Sequence, residues 1–151
     1  MPNWIMMAAS DVLANLLPVE TTALAKYKPT YATDCANFLT RMANEARGYV
    51  GANDKNQMAT APAVPPELVT AVTDRTIFAL LKTLPVATLL TPDRRDANKA
   101  ALATFNDVKR GLLAITQPDS AELAPTQPVT GGFMRTVNPG RKLRGREFDG
   151  L

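Results

Sequence analysis

TYATDCANFLTRMANEARGYV, residues 30–50, carries a strong helical periodicity. Tyr31, Cys35, Phe38, Leu39, Met42, Ala46 and Tyr49 recur at steps of three and four, within a band about a third of a helical circumference wide. Asp34, Asn37, Arg41, Asn44 and Arg47 take the other side. The spacing predicts a helix over 30–49, with Gly48 and Gly51 offering a C-terminal stop. Such a stripe must be covered, so the segments on either side are read for what can cover it.

Upstream, Ser10 followed by DVLANLL reads as a cap and a short helix that ends at Pro18, because proline biases the preceding residue away from the helical region. ETTALAKY, 20–27, is a second short turn that ends before Pro29. Trp4, Ile5, Met6 and Met7 precede the first cap and carry two readings. One is a hydrophobic staple that closes the bundle, and the other is an exposed patch for subunit contact, since methionine adapts to irregular surfaces.

Downstream, GANDKNQMATAPAVPP, 51–66, has no periodicity and three prolines, and is predicted to be a long loop of the functional or mobile kind. Pro65 and Pro66 then open a second long helix. Its IFALLKTL segment, 77–84, is apolar nearly all round and should be the most buried part of the fold. Pro85 breaks the chain. A third long helix is expected from Pro92 to Ile115, with Thr91 as N-cap and Asp93 near the positive end of the dipole. Ala97, Ala101, Phe105, Val108, Leu112 and Ile115 form its apolar stripe; Arg95, Lys99, Asn106, Lys109 and Arg110 lie opposite, interrupted by Ala100 and Ala103.

The whole reads as all-α: a small bundle of about three long and one or two short helices over 1–116, then an extended C-terminal arm over 117–151. Composition agrees, since the 46% hydrophobic content is largely Ala and Leu, with only 6% aromatic residues and Val and Ile thinly spread. The arm is rich in proline and glycine, and its sparse anchors cannot form a core, so it is expected to order only against a partner.

The formal net charge is +3, and Arg135, Arg141, Lys142, Arg144 and Arg146 against Glu147 and Asp149 account for that excess within the last seventeen residues. A near-neutral body argues against a dedicated duplex-DNA binder. A helix-turn-helix is disfavoured too, because the connection over 85–91 is loaded with apolar residues. With one cysteine and no histidine there is no internal disulfide and no zinc cluster, and no cofactor is expected. Cys35 sits in an apolar stripe as a core thiol, and Asp93 and Asp96 are explained by the helix dipole. The glycines, Gly131 and Gly132 included, do not match a phosphate loop. The chain therefore reads as a non-enzyme, made in a cytoplasm, with neither signal peptide nor membrane span.

The order of SDVLANLL (10–17), a long helix ending EARGYV, VPPEL (64–68) opening PPELVTAVTDRTIFALL, and DRRDANKAALATFNDVKRGLLAI closing on VKRGLLAI (108–115) resembles the head-to-tail connector adaptor, or head-completion, proteins of tailed bacteriophages. The resemblance covers roughly residues 10–115 as a pattern, plus the arm. This chain departs from it by a longer Ala- and Pro-rich loop and a diglycine in the arm. What the resemblance implies is a bundle of about four helices and a structural virion protein of the neck, made in the bacterial host. It further implies a homo-oligomeric, dodecameric ring beneath the portal protein that meets a stopper or tail-completion protein, with packaged DNA passing through without sequence-specific binding.

In that setting Phe133, Leu143, Phe148 and Leu151 are the apolar anchors expected to bind a partner, and Arg141, Lys142, Arg144 and Arg146 are expected to meet acidic groups. Ala100 and Ala103 are candidate subunit contacts. The competing reading is a small helical nucleic-acid-associated regulator whose basic tail contacts phosphate.

Overall fold

The computed structural model describes residues 3–119. Among them lie five α-helices: α1 (Ala9–Leu13), α2 (Pro18–Tyr27), α3 (Tyr31–Gly51), α4 (Val69–Lys82) and α5 (Pro92–Arg110). Two single turns of 3-10 helix, Pro66–Leu68 and Ala87–Leu89, lead into α4 and towards α5. The fold is an all-α small helical bundle, as the periodicity predicts.

Helix α4 is the central element and packs on α5, α3 and α1. Of the IFALLKTL segment, Ile77, Leu80, Leu81 and Leu84 are buried and Phe78 and Ala79 half-buried, while Lys82 and Thr83 at its end are exposed. Leu68, Val72, Ile77, Leu80 and Leu81 are sealed from solvent. Helix α5 lays Ala101, Phe105 and Val108 against this core, and the Phe105 ring meets Tyr49 of α3 with centroids 5.6 Å apart. From α3 come Cys35, Leu39, Ala43, Ala46 and Val50. Tyr31, Phe38, Met42 and Tyr49 flank this line half-buried, so the buried face is turned slightly from the stripe read in the sequence.

The helix ends follow local chemistry, with three corrections to the expected boundaries. Ser10 is not a cap. Helix α1 begins at Ala9, two residues before the expected start at Asp11, and the Asp11 carboxylate at its third position accepts the N–H of the capping residue Ala8 at 3.3 Å. Pro18 stops no helix, since α1 already ends at Leu13 instead of running on to Leu17 as expected. It opens α2 at the first position, where Glu20 accepts the Leu17 N–H at 2.8 Å, so ten residues become helical where a short turn was expected.

The third correction concerns α5, whose start is as predicted: Thr91 Oγ1 accepts from the Arg94 N–H and Pro92 occupies the first turn. Its end is not at Ile115. Gly111 adopts φ +75°, and the Leu112 N–H donates back to the Asp107 carbonyl at 2.8 Å. A left-handed glycine closed by this backward bond terminates a helix. Leu112 is therefore 74% exposed rather than part of a stripe, while Ile115 is buried from an extended segment.

Two ion pairs stitch the helices together. Glu20, fully buried, accepts Arg94 Nε–H at 2.9 Å and Nη2–H at 2.7 Å, tying α2 to α5. Arg75 of α4 reaches both oxygens of Glu45 on α3 at 2.8 Å and Asn98 on α5 at 3.0 Å. The first is a forked, buried pair, and removing one member would strand a charge.

Candidate functional site

The richest junction of polar and apolar groups lies where the N-terminal segment, the 51–66 loop and the start of the arm meet. It is built outward from Arg47. The helical spacing places Arg47 on the polar side of α3, yet its side chain is buried. The reason is the loop: Nη1–H donates to the Ala63 carbonyl and Nη2–H to the Ala59 carbonyl, each at 2.8 Å. A planar guanidinium with its donors in a fork can satisfy two carbonyls of one turn together. Above it lies the Trp4 ring, 5.8 Å from the guanidinium carbon.

Trp4 is buried, and its indole N–H donates to the Thr116 carbonyl at 2.8 Å. Beside it Ile5 exchanges both backbone hydrogen bonds with Val64, at 2.8 and 2.9 Å, in an isolated antiparallel bridge. Asn3 donates to Asp119 Oδ1 at 2.7 Å and to the Gln117 carbonyl at 3.3 Å. The Gln57 N–H donates to the Gln117 side chain at 2.8 Å, and Glu67 accepts both the N–H and the hydroxyl of Thr116. The first residues assigned to the arm, 117–119, thus lie on the body.

These segments enclose a cleft of about 190 Å³ lined mainly by Met6, Ala59, Ala61, Ala63 and Pro118, with Trp4 at its base and Asn3, Thr60 and Asp119 along its rim. The two readings of the N-terminal residues are divided between neighbours: Trp4 closes the bundle, while Ile5 is 43% and Met6 71% exposed. The 51–66 loop is stitched down by Arg47, by the Ile5–Val64 bridge and by Gln57. Its Ala59, Ala63 and Val64 are core residues.

No family model, curated protein or solved structure matches this chain. Function has to be argued from the junction and from the sequence.

Phe133, Arg141, Lys142, Leu143, Arg144, Arg146, Phe148 and Leu151 all lie outside the described residues. Ala100 and Ala103 are exposed on α5. Among the described residues, no group of three or more His, Cys, Asp or Glu side chains is placed to hold a metal ion, and no helix is long and apolar enough to cross a membrane. Cys35 is the core thiol expected: its Sγ faces the Ala9 carbonyl at 3.9 Å, and burial pushes its pKa up, away from the reactive thiolate. Asp93 and Asp96 are exposed at the start of α5. Burial raises the Asp74 carboxyl above its ordinary value, partly offset by the nearby Arg94 charge.

Three residues of this junction carried no functional signal in the sequence. Arg47 falls on the polar side of its helix by spacing, Asn3 belongs to no pattern, and Thr116 follows the expected end of a helix that in fact ends earlier. The one available cue was Trp4, the chain's sole tryptophan, set among apolar residues ahead of the first helix.

Proposed function

We propose that this chain is a structural subunit of a bacteriophage neck: a head-to-tail connector adaptor that forms a ring below the portal and links it to the next neck or tail component. The observation that carries the reading is the division of labour along the chain. A helical body is closed by residue 119, and a cationic segment bearing spaced apolar anchors continues from a root fixed to that body by Trp4, Asn3, Gln57 and Glu67. A root held at several points suits a segment that must grip another protein without pulling its own body open.

Further support comes from the surface. Leu17, Val19 and Tyr27 around α2, with Leu112 after α5, are large apolar side chains left exposed. Repeated copies in a ring need a heterologous contact, in which one side of a subunit meets the other side of its neighbour, and such side chains suit it. Twelve basic and eleven acidic residues lie between 3 and 119, so the body carries almost no net charge to draw duplex DNA.

The test is electron microscopy of the protein mixed with the portal protein encoded beside it. Rings capping the portal are expected. A chain cut after Asp119 should keep the body and lose portal association, and normal association by that shortened chain would overturn the arm's role.

A further inference from the structure

The cleft beside Trp4 has Pro118 and Asp119 as one wall, and from that wall the chain has residues 120–151 still to run. We propose that this cleft is the seat for Phe133 of the chain's own C-terminal segment.

Size is the first argument. An apolar cavity of about 150 Å³ accommodates benzene, so a cleft of about 190 Å³ accepts one phenyl ring. Its chemistry agrees: Ala59, Ala61, Ala63 and Pro118 supply apolar walls, and Met6, which also lines the cleft, carries a thioether of the kind that packs well against aromatic rings. Left empty, the cleft keeps Met6 in water, whereas a docked ring would cover it.

Tether length selects the residue. Phe133 follows Asp119 by fourteen positions, and a random-coil tether of that length would span about 20 Å root-mean-square, enough to leave the wall and return. Leu123 comes too soon, since only three residues separate it from the wall it would have to face. Phe148 stands about twice as far along, where local concentration falls to about a third of that for Phe133. Gly131 and Gly132 immediately before Phe133 give the backbone freedom to turn the ring inward.

The docking stands independently of the neck reading. If that reading also holds, a partner that takes Phe133 must displace it from the cleft, and the unassembled chain keeps an adhesive anchor covered.

The experiment uses full-length chains in which Thr60, exposed on the cleft rim, and Met134, next to the anchor, are both changed to cysteine. Cys35 is buried and stays silent. At low micromolar concentration the Thr60→Cys, Met134→Cys chain should form an intramolecular disulfide about tenfold faster than a Thr22→Cys, Met134→Cys chain, whose first thiol lies on α2. Adding Phe133→Ala should bring the faster rate down to the slower one, with the indole N–H resonance of Trp4 moving as the ring leaves. Equal rates in the two cysteine pairs, indifference to Phe133→Ala, or a product that is a dilution-sensitive covalent dimer would each overturn docking within one chain. None of these outcomes bears on whether the protein joins a portal.

Discussion

Arg47 shows how one side chain sets the shape of a loop that has no secondary structure of its own. Its two hydrogen bonds to the Ala59 and Ala63 carbonyls hold the turn through which Val64 reaches Ile5, and its guanidinium underlies Trp4. Replacing it with methionine keeps most of the apolar stem but leaves both carbonyls without that donor. At about 1–3 kcal/mol for a buried group left unsatisfied, Arg47→Met should cost about 2–4 kcal/mol of stability. Arg47→Lys should fall in between, because an ammonium lacks the planar fork that spans both oxygens. Urea unfolding measures the loss, and acrylamide quenching of Trp4 should rise alongside it. A variant within 0.5 kcal/mol of the parent and equally quenched would show that the loop holds itself.

At the scale of the element, two glycines separate backbone need from helix cost. Gly111 ends α5 in the left-handed region, and a Cβ there would lie 3.3 Å from the Asn53 Nδ2 that donates to the Val108 carbonyl. Gly48 lies inside α3, where a Cβ would meet nothing within 4 Å. Gly111→Ala should therefore destabilise by about 1–2 kcal/mol, and Gly48→Ala should stabilise by about 0.5–1 kcal/mol. Opposite shifts in the thermal midpoint are the expected result, and shifts of the same sign would contradict this account of the α5 terminus. The same two positions show what was legible in the sequence. The cores of α3, α4 and α5 were readable because amphipathic spacing and the Thr91–Pro92 start are local signals. The stop at Gly111 was masked by Leu112 and Ile115, which happen to continue the apolar spacing after the helix has ended. The burial of Arg47 could not be read at all, since its acceptors sit twelve and sixteen residues away in a segment without periodicity.

For the molecule as a whole, the question is where the folded body stops. The junction at Trp4 joins residues 3–6, 47, 57–67 and 116–119, which share no sequence pattern, and this is why it escapes a reading by local signals. Its existence nevertheless fixes how the chain must respond to shortening. Removing residues 120–151 leaves every described contact in place and takes away only the docking of Phe133, the burial of one ring less the cost of ordering its tether, so a chain ending at Asp119 should unfold in urea within about 1 kcal/mol of the full chain. Removing residues 114–151 takes away the burial of Ile115, worth about 1.5–3 kcal/mol, together with the carbonyl that accepts the Trp4 indole N–H. A buried indole without its acceptor adds about 1–3 kcal/mol, so the chain ending at Leu113 should lose about 3–5 kcal/mol and show a red-shifted Trp4 emission. The contrast matters more than either value, because both chains lack the cationic segment and differ only in the root. If the two shortened chains proved equally stable, residues 114–119 would be spectators, and the arm would have no rigid footing from which to grip a partner.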